Sequence, residues 1–326
     1  MHRAPRLVEW SEASVAGSPG HRLMVVLAAP GCAWYRQAGG CWNCAFPSSL
    51  GTAEPVSTEE YRAQIADALR RLPADAQPPV HVDLYASGSY LNPDEVPEEA
   101  QRELLARAAA VPSVTRLTVE TRPEYVTRER VQRLRQAAGG KLLEVAVGLE
   151  TADDRLRAVA IHKGFAWVDF ARAAETLAAC GVSLLTYVLL KPLDTPEGAA
   201  LEDAVLSAER VFGLGSSLGM PTRVALEPCF VAPGTRLSRE FEAGRYRPPW
   251  LWSAVEVVSR VAGQGEVFVG LSDEGLEPAR AARNCDACTP RVRAALAEFN
   301  RSQDPGPLAG LACPCQAEWR RELTSQ

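Results

Sequence analysis

The sequence predicts an α/β fold: a partial six-unit TIM-type βα barrel, (βα)6, carrying a small cysteine-rich module at its C-terminal end. Short, β-rich apolar runs alternate with longer Ala/Arg/Glu/Leu runs at helical period, the pattern of βαβ units around a parallel sheet. Almost every apolar run closes on a chemically capable residue, as the strands of βα barrels do at their C-terminal ends. Beyond about residue 273 the composition changes, and four of the nine cysteines fall there. The alternation by itself also suits a full barrel or a doubly wound sheet.

In chain order, residues 1–22 read as an N-terminal extension. The barrel spans 23–272, with strands expected at 23–29, 80–86, 114–120, 142–149, 182–190 and 223–230. Helices are expected near 58–72, 97–110, 127–138, 165–180 and 196–213. Ser57-Thr58-Glu59-Glu60 supplies a cap with acidic first-turn residues, and Pro196 stands at a first helical position. A Pro/Trp-rich patch at 247–252 precedes a helix near 252–262 and a strand at 266–271. Residues 273–326 form the cysteine-rich module.

Composition excludes several classes. At 326 residues and 47% apolar content the chain builds a core without disulfides and is not disordered. The N-terminus lacks the apolar stretch of a signal peptide, and no run is long enough to span a bilayer. The odd cysteine count then points to a reduced, cytoplasmic protein that uses thiols for metals or catalysis. A net charge of −5 does not mark a nucleic-acid binder, although Arg-rich stretches at 128–135 and 280–293 leave room for a local basic face. Lysine is scarce, with only Lys141, Lys163 and Lys191.

The first strand ends in PGCAWYRQAGGCWNC, where Cys32, Cys41 and Cys44 form a C-x8-C-x2-C array. Three thiolates on one loop suit a soft metal: zinc, or an iron–sulfur cluster with one iron left open. Three buried thiols without a metal are the bland alternative. Gly31, Gly39 and Gly40 let the backbone wrap a cluster. Zinc would need a fourth ligand, and none is close in sequence. Trp34, Tyr35 and Trp42 surround the array and read as a water shield. The later strand ends bring Ser87-Gly88-Ser89, Glu120, Glu150 and Lys191. Lys191 ends an apolar strand, so its ammonium is expected at the barrel mouth as a catalytic group holding a substrate carboxylate or phosphate or a cofactor group; a lysine that only snorkels from the strand end is the plainer alternative. His162 and Lys163 read as solvated loop. Cys180 and Cys229 read as core thiols. In the tail, Cys285-x2-Cys288 and Cys313-x-Cys315 make two hooks for zinc or an auxiliary cluster, or else hold no metal.

A three-cysteine loop after the first strand of a βα barrel resembles the radical S-adenosylmethionine (SAM) superfamily. The usual spacing there is C-x3-C-x2-C; the longer first gap is similar to the elongator-like branch. Within that branch, the cysteine loop, LYASGSYLNPDEVP, VETRPEYVT, GLETADDRLR with IHKGF, YVLLKPLDTPEGAALEDAV and the tail from CDACTPRVRAALAEFNRSQDP to LACPCQAEW resemble the archaeosine-synthesis (RaSEA-like) group, over residues 20–322. The resemblance implies a [4Fe–4S] cluster on Cys32, Cys41 and Cys44 whose open iron chelates SAM. One electron, from a donor such as flavodoxin or ferredoxin, then yields a 5′-deoxyadenosyl radical that abstracts a substrate hydrogen. Ser87, Gly88 and Ser89 would contact the methionine end of SAM, and Glu120 and Glu150 its ribose or methionine groups. The implied substrate is a 7-deazaguanine-type base in tRNA, cleaved within a lysine adduct, with a transglycosylase-like protein as partner and no membrane. A small molecule, nucleoside or peptide substrate is the competing expectation. A zinc-binding scaffold without catalysis is the competitor from another class.

Overall fold

The computed structural model describes residues 3–52, 54–73, 75–271 and 276–324. Eight strands make one curled half-barrel sheet, ordered as they occur in the chain. They are β1 (Leu7–Val15), β2 (Ser18–Val26), β3 (Val80–Tyr85), β4 (Val114–Thr121), β5 (Leu142–Glu150), β6 (Ser183–Leu190), β7 (Thr222–Pro228) and β8 (Glu266–Val269). β1 runs antiparallel to β2, and every later pair is parallel. The main helices are α1 (Ala33–Ala38), α2 (Thr58–Leu69), α3 (Glu98–Ala109), α4 (Arg128–Ala137), α5 (Trp167–Ala179), α6 (Glu197–Ser217), α7 (Arg236–Glu242), α8 (Leu251–Val261), α9 (Thr289–Ser302) and α10 (Gln316–Leu323).

Strands β2 to β8 and helices α2 to α6 and α8 fall on the runs that their periodicity marks out. β1 does not: it lies in residues 1–22, where the sequence predicts an extension, and it pairs into the sheet. Ala16 and Gly17 form a two-residue hairpin turn with both φ values positive (53° and 77°), which matches the twist of the strands it joins. Trp10 of β1 stacks on His21 of β2 at 4.8 Å, which holds the register.

Each parallel strand has two different faces. Val80, Val82 and Leu84 of β3, Leu117 and Val119 of β4, and Val145 and Val147 of β5 are fully buried in one core with the helices. The alternate residues face the barrel interior, and its lower half carries charge. Arg22 pairs with Asp83, which lies 2.8 Å from His81. Arg223 bonds Glu144 at 2.5 Å and Glu266 at 3.2 Å. A charge removed from water survives only when matched, and these are matched: the Arg22 guanidinium and His81 hold Asp83 well below the usual carboxylate range despite its burial. Above this layer Ala146, Leu185 and Ala225 fill the middle with Tyr187 and Phe268. The floor of the mouth is therefore closed, and the strand ends above it are free for chemistry.

α2 starts as expected, with a capping box in which Glu60 N donates to Ser57 Oγ (3.2 Å) and Ser57 N donates to Glu60 Oε2 (2.9 Å). In the C-terminal module, α9 packs against both edge strands, β1 and β8. Among the described residues no helix is long and apolar enough to cross a membrane.

Candidate active site at the mouth of the half-barrel

After β2 the chain turns through Pro30 and Gly31 into Cys32, which caps α1. This short helix occupies most of the eight-residue gap to Cys41. It ends at Gly39, and Gly39 and Gly40 both adopt positive φ (81° and 76°) to turn the chain back. The long spacing thus encodes one and a half turns of helix, where the sequence predicts a loop. The returning segment is clamped on two sides: Trp42 N donates to Ile161 O (2.9 Å), and Leu237 N donates to Trp42 O (3.0 Å).

The three thiols share one electrostatic environment, since Cys32 and Cys41 both act on Cys44. Burial pushes the Cys41 thiol up and the Cys44 thiol up to about 12. Ionised sulfur is therefore costly here, and a bound metal centre offsets that cost. Among the described residues the only set of four metal-ligating side chains drawn within 4.8 Å lies elsewhere, in the tail. Cys32, Cys41 and Cys44 are not drawn together that closely.

Ser87-Gly88-Ser89 sits directly against this loop. A Cβ on Gly88 would lie 2.8 Å from Cys32 Cα and 2.1 Å from Glu95 Oε2, so only glycine fits. Glu95 ties the two loops together: it accepts from Ala33 N (2.9 Å), Ser89 N (2.5 Å) and Asn92 Nδ2 (2.9 Å). Ser87 holds a positive φ of 54°, and its buried hydroxyl has no partner in the protein. Ser89 Oγ accepts from Arg122 N (3.2 Å).

Glu120, at the end of β4, accepts from Ala86 N (3.2 Å), and burial pushes its carboxyl up to about 7. Glu150 follows a bulge in the β5–β6 pairing and takes a φ of 71°. It pairs with Lys163 at 2.5 Å. A Cβ on Gly148 would meet Glu150 Oε1 at 2.6 Å and Lys163 Nζ at 2.7 Å, so the pair lies across a glycine gap. Lys163 is therefore not the solvated loop residue of the sequence reading: its side chain is 14% exposed, and Cys41 is among the charges acting on it. His162 is likewise engaged. It stacks on Trp42 at 4.1 Å and bonds Gly40 O at 2.8 Å, while Trp34 Nε1 donates to His162 O (2.8 Å). The two tryptophans thus wall the loop, and Arg122 lies over Trp34 at 5.1 Å.

Lys191 is buried, with a φ of 64°, and its ammonium reaches Glu197 Oε2 at 2.8 Å. Tyr246 OH donates to Lys191 O (2.7 Å). Sequence reasoning missed Glu95, Lys163, Glu197 and Arg157. Fully buried Arg157 donates to Leu149 O (3.2 Å), Thr151 O (2.6 Å) and Phe165 O (3.3 Å), which fastens the loop carrying Lys163 to the end of β5. The scarcity of lysine was the one signal that could have flagged Lys163.

A half-barrel of parallel strands with a three-thiol loop after its first parallel strand defines a class, and the chain belongs to the radical SAM superfamily, whose family pattern matches residues 27–199. Members of that superfamily are enzymes that work with a [4Fe–4S] cluster and SAM, which sets the zinc-scaffold alternative aside. More particularly, the chain is similar to archaeosine synthase subunit beta of Methanosarcina acetivorans, with 36% identity over 92% of this chain and 84% of the relative. It is 33% identical to archaeosine synthase subunit beta of Thermococcus kodakarensis, over 95% of this chain and 94% of the relative. Among solved structures, archaeal Methanocaldococcus infernus Elp3 shares the fold, with a TM-score of 0.51 and 16% identity over 74% of this chain and 58% of that one.

Proposed function

We propose that this chain is the SAM-cleaving component of an archaeosine-type tRNA modification. In this reading it resolves a lysine adduct on a 7-deazaguanine base, and Cys32, Cys41 and Cys44 hold the cluster. The observation that carries the reading is the packing of the three-thiol loop on Gly88, beside the orphan hydroxyl of Ser87. When bound, the cluster and SAM supply one-electron reductive cleavage and hydrogen abstraction.

The protein's own groups do the rest. Gly88 lets the cluster loop and the strand-end loop touch, and Glu95 locks them in register. Ser87 Oγ offers a buried hydrogen-bonding group to the amino acid end of SAM. Glu120, poised near neutrality, accepts from a ribose hydroxyl or an ammonium. The Glu150–Lys163 pair keeps a lysine close to Cys41, where its charge favours the thiolate. Lys191, directly after β6 and held by Glu197, meets a polar group of the substrate. Trp34, Trp42 and His162 exclude water. Arg236 lies over Trp42 at 4.7 Å and adds positive charge beside the loop. A one-electron donor of the flavodoxin or ferredoxin kind and a transglycosylase-like partner subunit complete the system, the second suggested by relatives named as a beta subunit.

The test is an anaerobic reaction of reconstituted protein with SAM, reductant and tRNA bearing the lysine-adduct base, with and without the partner. The expected result is 5′-deoxyadenosine together with conversion of the base, both abolished by Cys41→Ala. SAM cleavage with an unchanged base would overturn the substrate assignment in favour of a small-molecule reaction. Equal behaviour of wild type and Cys41→Ala would overturn the site.

A further inference from the structure

Four cysteines take no part in the site at the mouth. Cys285 and Cys288 stand on the turn that enters α9, and Cys313 and Cys315 on the turn that enters α10. All four are free thiols. Their sulfurs lie within 4.8 Å of one another, with separations of 3.5 Å (Cys285–Cys288), 3.5 Å (Cys285–Cys313) and 3.6 Å (Cys288–Cys315). Ligand bonds of about 2.3 Å to one tetrahedral ion place the sulfurs about 3.8 Å apart. An iron–sulfur cluster divides four thiolates over two or four irons and so spreads the set wider than a single ion does. The quartet therefore has the size of one ion. It also has supporting contacts: Trp252 Nε1 donates to Cys315 Sγ (3.3 Å), and Cys313 N donates to Gln316 Oε1 (3.2 Å).

Two helices leave this knot, and each performs a task for the barrel. α9 brings Asn300 and Gln303 to the free edge of β8. Asn300 Oδ1 accepts from Val269 N (2.8 Å), and its amide donates to Val269 O (2.8 Å). Gln303 does the same for Val267, at 2.9 and 2.8 Å. Two side-chain amides thus replace a ninth strand on an edge that would otherwise be open. α10 brings Trp319, whose indole donates to Ser253 Oγ (2.9 Å); Ser253 Oγ donates to Glu197 Oε1 (2.5 Å), and Glu197 holds Lys191.

We propose that Cys285, Cys288, Cys313 and Cys315 bind one tetrahedral zinc-class divalent ion, and that this ion holds α9 and α10 in place so that they seal the β8 edge and position Glu197 beneath Lys191. The inference does not rest on the radical reading, because it concerns a separate metal and a separate readout.

The test uses the full-length chain with Cys32, Cys41 and Cys44 all replaced by Ser, so that only the tail site remains. Elemental analysis should find one zinc per chain. Cobalt exchange should give the absorption of a tetrahedral tetrathiolate ion, and iron and sulfide should not be taken up. Uptake of an iron–sulfur cluster by this variant, or no metal at all, overturns the ion. Hydrogen exchange tests the seal in the wild-type chain: zinc chelation should speed exchange at the Val267 and Val269 amides about tenfold or more while β3 to β5 stay protected. Gln303→Leu should expose the Val267 amide alone with zinc retained. Unchanged β8 exchange after metal loss, or zinc loss in Gln303→Leu, overturns the coupling.

Discussion

Glu120 and Glu144 show how one residue type acquires opposite properties from its surroundings. Glu144 accepts from Arg223 twice, and despite its burial the guanidinium brings its carboxyl down to about 2. Glu120 lacks such a partner, and burial carries it to about 7. The signs follow from proton linkage. Glu144 contributes stability above the ordinary carboxylate range that is lost as pH falls towards 2. Glu120 favours the folded state below that range, and this contribution is lost as pH rises through 7. Between about pH 5 and pH 8 the urea midpoint of the apo protein should therefore fall. Glu120→Gln should flatten that limb by on the order of 1–3 kcal/mol, and an unchanged slope would remove Glu120 from the account. At Gly88, alanine has no room on either side, so Gly88→Ala should leave a chain that reconstitutes with little iron. Iron content equal to wild type would show that the two loops can part.

Among elements, the cysteine loop is the informative one. Its helix, α1, works only because Gly39 and Gly40 turn left-handed behind it, and a Cβ on Gly40 would meet Tyr35 Cδ2 at 2.7 Å. Gly40→Ala should cost about 1–3 kcal/mol in backbone strain and slow cluster assembly, which iron analysis after timed reconstitution would measure. The start of α2 tests the opposite case, a local cap whose partners are Ser57 and Glu60. Ser57→Ala removes one half of a capping box and should lower stability by about 1 kcal/mol with cluster content unchanged. A fall in cluster content would show that loosening the helix start is felt further along α2, where Tyr61 OH donates to Glu95 O (2.7 Å).

At the scale of the molecule, the half-barrel stacks three interior layers: paired charge at the bottom, small and aromatic residues in the middle, and the site on top. The bottom layer supports the rest through matched charges, so removing one partner leaves another stranded. Glu144→Gln should destabilise the fold by about 3–5 kcal/mol, because Arg223 stays buried with half its partners gone; thermal or urea unfolding measures this. The net charge of −5 bears on the partner. If tRNA is the substrate, its affinity must come from local arginines such as Arg236, and it should fall steeply with salt in proportion to the phosphates contacted. Binding that is absent at low salt, with the partner subunit supplied, would point away from nucleic acid.

Much of this was written locally in the chain. The alternation of Val80, Val82 and Leu84 with His81, Asp83 and Tyr85 marks a strand with two faces whatever it packs against. Three cysteines within thirteen residues can hardly avoid one another, and their place after an apolar run puts them at a strand end. Such features depend on period and short spacing, which a sequence carries explicitly. The tertiary structure alone decided which side chains meet between one element or loop and another. It gave Lys163 to Glu150, Lys191 to Glu197, Glu95 to the amides on either side of it, and Asn300 and Gln303 to β8. It also turned residues 7–15 into a strand and closed two cysteine hooks, 24 residues apart, to the dimensions of a single ion. The reason is that each of these contacts depends on where several helices come to rest against the sheet. That is a property of the packed whole, and no stretch of the chain holds it alone.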